Sequence, residues 1–162
     1  MAKICEDVSA KPKFVEGKLR LILRSLSEWL ESLRSTVSGE AIECFGKLCS
    51  GLGSKMVINK TLLQLLRLAA NGDKGFLARK ALSTAKLAAE KVSARRVALL
   101  LARQYASFAR QSALKEVMTA VLLHALGLHD QKQSKEGGGG DWGIESRDMK
   151  KLLHVLSDAV QC

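Results

Sequence analysis

A chain of 162 residues carries 26 Lys and Arg against 16 Asp and Glu, a formal net charge of +10. Its length is enough to bury a core without disulfides or metal, and its hydrophobic content of 47% excludes wholesale disorder. With only 4% aromatic residues and a single proline, Pro12, the core must be built from Leu, Ala and Val, which suits helices and not sheets.

Taken in chain order, residues 1–13 form an N-terminal lead-in, since Lys11-Pro12-Lys13 resists regular structure. The first helix is predicted over 14–36. There Val15, Leu19, Ile22, Leu26, Trp29, Leu30 and Leu33 recur at three- and four-residue steps as one apolar stripe. Ser38-Gly39 is expected to end it, and a short second helix over 40–49 buries Ile42, Phe45 and Cys49. The stretch Ser50-Gly51-Leu52-Gly53-Ser54 reads as a breaker.

A third helix over 55–70 carries Leu62, Leu63, Leu65, Leu66 and Leu68, apolar on most sides, which marks a central helix. Asn71-Gly72-Asp73 stops it. The fourth helix spans 74–92. Ser93 is placed to cap a fifth over 94–110, and Ser112 a sixth over 113–126. Gly127 and the polar run to Asp141 close the sixth helix, and residues 130–144, with four glycines at 137–140, form a flexible loop. A last helix over 145–162, with Met149, Leu152, Leu153, Leu156 and Val160 as its stripe, packs on the array of 14–129.

The charge is unevenly placed. Residues 1–59 hold nine Lys and Arg against seven acids, residues 60–115 twelve against two, and residues 116–162 five against seven. The excess therefore belongs to the middle of the chain. On the fourth helix, Arg79, Lys80, Lys86 and Lys91 lie opposite Leu77, Ala81, Ala85, Ala88 and Val92. On the fifth, Arg96, Arg103 and Arg110 recur every seven residues, close to two helical turns, opposite Val97, Leu101, Tyr105 and Phe108. An arginine row suits carboxylates or phosphates, because the planar guanidinium donates two bonds at once. The same residues also serve as an ordinary solvated surface.

Other chemistries lack a pattern. Cys5, Cys44, Cys49 and Cys162 do not match a zinc-binding spacing, and Cys44 and Cys49 read as small apolar fillers in a reduced protein. His124 and His129 are five apart and miss one another on a helix, so no metal site is expected, and no cofactor motif is present. No serine lies in a nucleophile elbow, and the glycine run lacks the Gly-Lys-Ser/Thr ending of a phosphate loop. The longest uncharged apolar run, 117–128, is too short to span a bilayer, and the first residues do not form a secretory signal. Those features predict an intracellular protein of cytoplasm or nucleus, neither secreted nor transmembrane.

The segment Asn71-Gly72-Asp73-Lys74-Gly75-Phe76-Leu77-Ala78-Arg79-Lys80-Ala81-Leu82 resembles the opening of the second helix in armadillo and HEAT repeats. Such openings place a turn with Asp, then an apolar residue, a basic residue and a small core Ala; Leu77, Arg79, Ala81, Ala85 and Ala88 fall in compatible places. The resemblance is concentrated in residues 71–92; the usual first-helix proline is missing, and there is no sharp second copy. It implies an all-α, right-handed array of antiparallel helix pairs, an alpha-solenoid, with a compact six- or seven-helix bundle as the alternative arrangement.

The function expected from these readings is non-enzymatic. It is a scaffold or adaptor that binds an acidic protein segment through Arg79, Lys80, Lys86, Lys91, Arg96, Arg103 and Arg110. Nucleic acid, held by its phosphates on the same face, is the alternative partner. Exposed aromatics for base stacking are scarce, and Ala-rich apolar faces insert weakly into membranes, which argues against a membrane partner. No small-molecule substrate is implied.

Overall fold

The computed structural model describes residues 12–32, 34–58, 60–71, 75–108, 110–136, 150, 153–155 and 157, with only the backbone of 12–14 and 128–136. Among them there is no strand. Six α-helices follow one another: α1 (Pro12–Leu30), α2 (Ser35–Leu52), α3 (Lys60–Ala70), α4 (Gly75–Lys91), α5 (Ala94–Tyr105) and α6 (Ser112–Glu136). Short 3₁₀ turns at Gly53–Lys55 and Ala106–Phe108 follow α2 and α5. Residues 153–155 and 157 are helical as well, but the remainder of the last predicted helix and the four glycines lie outside the described residues.

Pro12 opens α1, where its missing N–H costs nothing and its fixed φ fits the helix. The α1–α2 corner falls at 31–34, earlier than the predicted break at Ser38-Gly39. Serine hydroxyls make that corner. Ser38 Oγ donates to the carbonyl of Ser32 at 2.9 Å and to that of Trp29 at 3.4 Å, and the Arg34 N–H donates to Ser32 Oγ at 3.3 Å. These bonds satisfy backbone groups that a continuous helix would otherwise pair. Gly39 instead sits buried inside α2, facing α4: a Cβ there would lie 3.5 Å from Leu77 Cδ2, ordinary contact distance.

The predicted breaker at 50–54 also moves, starting only at Gly53 and running on past Ser54. Helix α2 runs through Leu52, and Gly53 turns the chain at φ +52°, a conformation that side chains other than glycine's resist. Residues 56–58 then run non-helically before α3, with Met56 and Ile58 buried, so the third helix is shorter than predicted at its start. At the other end of the chain, α6 passes through Gly127 to Glu136 where a stop was expected. A lone glycine costs about 1 kcal/mol in a helix and does not by itself end one.

One continuous core links every element. Leu26, Phe45, Leu48, Met56, Leu62, Leu65, Leu66, Leu101, Met118 and Leu122 are its largest fully buried side chains, and Val155 joins it from the C-terminal segment. Helix α3 is central as its leucines predicted: it packs against α1, α4 and α6. Its partners supply complementary chemistry, including a buried Ser27 to Thr61 hydrogen bond at 3.2 Å between α1 and α3. Helices α1 and α2, α3 and α4, α4 and α5, and α5 and α6 pack as neighbours, and α1·α3, α2·α4, α4·α6 and α3·α6 pack across.

Candidate functional site

The basic residues of the middle third divide into three structural situations. Arg79 and Lys91 stand exposed on α4, and Lys86 is half-buried on the same helix. Lys80 leans toward α2, where it forms an ion pair with Glu43 and lies 5.7 Å from the centroid of the Phe76 ring. That pairing holds the Glu43 carboxyl below the usual glutamate value, first through the hydrogen bond from Lys80 and then through its charge.

Helix α5 departs from the arginine row. Ser93 caps it as predicted, its Oγ accepting from the Arg96 N–H at 3.3 Å. The Arg96 guanidinium, however, reaches back to the α2–α3 connection, donating to the carbonyl of Ser54 at 2.7 Å and that of Met56 at 3.1 Å. Arg96 therefore secures the fold at a non-helical stretch with carbonyls left over from helix pairing. Arg103 remains exposed on α5. Arg110 is not on the helix at all: α5 ends at Tyr105, the chain tightens into a 3₁₀ turn at Ala106–Phe108, and the seven-residue spacing loses its meaning.

Arg110 gains a different neighbour. It lines an open depression of about 350 Å³ together with Arg67, Asn71, Gln111, Ser112 and Leu114. The depression lies where the end of α3 meets the start of α6, and none of the described residues lining it is acidic. Both sides are held in place. The Arg67 guanidinium lies 5.4 Å from the centroid of the Phe108 ring, and Phe108 is itself buried at 8% exposure. The turn carrying Arg110 is closed by the Gln111 N–H donating to the Phe108 carbonyl at 2.9 Å. The Gln111 carbonyl then accepts from the Lys115 N–H at 3.0 Å, so Gln111 takes the cap place expected of Ser112, which becomes the first residue of α6.

Arg67 was not singled out in the sequence, and Asn71 only as part of the stop after the third helix and the repeat-like segment that opens there. Arg67 is surrounded there by leucines that define a core helix, and nothing in the spacing joins it to Arg110. A usable signal was present, since both arginines stand beside turn-forming residues, Asn71 on one side and Ser112 on the other.

The other polar groups have structural roles. His124 Nε2 lies 3.0 Å from Glu90 Oε1, between α6 and α4. Cys44 and Cys49 are buried free thiols, as fillers should be, and burial pushes Cys49 up to about 12. Among the described residues, no group of three or more His, Cys, Asp or Glu could hold a metal ion, and no helix is long and apolar enough to cross a membrane. Fold and site together define an all-helical chain with an arginine-lined cleft. Comparison with protein-family models, curated proteins and solved structures finds no match for it.

Proposed function

We propose that this chain is a non-enzymatic scaffold that holds an acidic segment of a partner protein on the basic surface of its middle third. The observation that carries the reading is the exposure of Arg79, Lys91, Arg103 and Arg110 within a stretch, 60–115, that contains only two acids. One of those acids, Glu90, already faces His124. A surface with this excess of positive charge attracts acidic segments at a distance and fixes them by charge-assisted hydrogen bonds.

Stacked helix pairs of the armadillo or HEAT type are the arrangement we favour for the scaffold. Support comes from the pairing of helices in sequence and from the α1·α3 and α2·α4 contacts, which link one pair to the next as repeats do. The additional α3·α6 contact makes the far end more compact than an ideal stack.

The test is affinity purification with the wild-type chain and with a variant in which Arg79, Lys91 and Arg103 are changed to Glu. Arg96 stays untouched, because its reversal would unpin the α2–α3 connection. The reading expects protein partners with acidic segments to be lost while the helical circular-dichroism signal is kept. An unchanged set of partners overturns it. So does tight binding of RNA or duplex DNA that falls steeply with salt, the mark of a phosphate reader.

A further inference from the structure

We infer that the cleft between Arg67 and Arg110 is the anchor point of that surface and takes side-chain carboxylates of an acidic protein segment. The inference rests on the reading above and gives it a location that the sequence did not supply.

Three observations converge. First, two guanidiniums from separate elements, the end of α3 and the turn before α6, line one depression of about 350 Å³ with no acid among its described lining residues. Like charges placed together repel, so the arrangement favours an anion between them. Second, Gln111 and Ser112 add exposed side chains able to donate, so a bound carboxylate finds partners beyond the two arginines. Third, the site is held before any ligand arrives. Arg67 rests against the buried Phe108 ring, and the Phe108–Gln111 bond closes the turn that carries Arg110. A guanidinium already resting on a ring loses less freedom on binding than one waving in solvent.

The chemistry favours a protein carboxylate over a nucleic-acid strand. The aromatic ring at the cleft is covered, since Phe108 is only 8% exposed beneath Arg67, so no face is available for a base to stack on. The cleft is also a discrete depression and not a track that could follow a phosphate backbone.

The experiment measures binding of a fluorescent peptide of mixed Glu and Asp by anisotropy at low salt. The full chain is compared with Arg67→Gln, Arg110→Gln and the paired surface variant Arg79→Gln with Lys91→Gln. Inorganic phosphate and a single-stranded RNA serve as the other probes. Each cleft variant is expected to weaken the peptide about tenfold, and the surface pair less than that. Arg67→Gln also removes the contact with Phe108, so thermal unfolding is recorded for both. Arg110→Gln, which leaves that contact in place, decides the matter if the first variant is less stable.

If the surface pair loses the peptide while both cleft variants keep it, the anchor assignment is overturned and the broader scaffold reading stands. If the wild-type chain binds no acidic peptide, both fall. Phosphate or RNA bound more tightly than the peptide, and lost in the two cleft variants, also overturns the assignment to a protein carboxylate.

Discussion

Arg96 shows how a single cation can be recruited by the fold. Its two bonds to the Ser54 and Met56 carbonyls span a stretch where the backbone is neither helix nor strand, next to a Met56 side chain that is wholly buried. Replacing Arg96 with Met keeps much of the aliphatic packing and removes the fork. Urea denaturation should show a loss of about 1–2 kcal/mol, and Arg96→Lys should recover only part of it, because a point charge cannot serve both carbonyls in the same way. The Lys80–Glu43 pair makes a second prediction at this scale. The Glu43 pKa is lowered in the folded chain, so the pair's contribution is present above the unfolded glutamate range and is lost as pH falls through the folded value. Carboxyl NMR should find Glu43 titrating below ordinary glutamates, and Lys80→Met should return it toward them. Because Glu43 is 55% exposed, little change in stability is expected from the pair.

At the scale of elements, the glycines in and just after α2 separate into two kinds. Gly46 faces Leu87 Cδ2 and Thr84 Cγ2, each 3.5 Å from where a Cβ would stand, which is ordinary contact distance. Gly46→Ala should therefore raise stability by about 0.5–1 kcal/mol through helix propensity. Gly46→Val should lower it, since the added methyls must enter the α2–α4 interface. Gly53→Ala should cost about 1–2 kcal/mol for the opposite reason. Space is available there, with Lys91 O at 3.5 Å, but the positive φ is not one that alanine accepts. Thermal unfolding of the three variants checks the signs. The same scale explains why helix number and type were legible while boundaries were not. Apolar periodicity located α1, α3, α4 and α5, but the α1–α2 corner depends on which serine finds a carbonyl. Ser38 and Gly39 look like a stop in sequence; in space one ties the corner and the other lies buried inside α2, facing α4.

For the molecule as a whole, the buried thiol gives a measurable handle on the core. Cys49 is fully buried, and burial raises its pKa from 9.0 to about 12. A raised folded pKa favours the neutral form, so the associated stability is intact below pH 9 and is lost as pH climbs toward the folded value. Alkaline titration should thus bring unfolding forward between those limits, and Cys49→Ala should flatten that slope while costing stability at neutral pH. Thiol labelling followed by mass mapping should find Cys49 protected at pH 8 until the chain opens.

The sequence by itself determined that the chain is helical, that α3 lies at the centre, that Cys44 and Cys49 are filler, and that positive charge gathers between residues 60 and 115. These follow from composition and periodicity, which act over a few neighbouring residues and need no knowledge of what packs where. Only the tertiary structure decided which cations face outward and which serve the fold. It turned Arg96 back to two carbonyls, broke the predicted row at Tyr105, and set Arg110, on the turn before α6, into one cleft with Arg67. The physical reason is that a guanidinium can donate to a backbone carbonyl or stay in solvent equally well by its own chemistry, whereas two guanidiniums repel and share a cleft only where the fold brings them together. The choice is made by the relative placement of helices, and helix packing sets that through contacts between residues far apart in the chain.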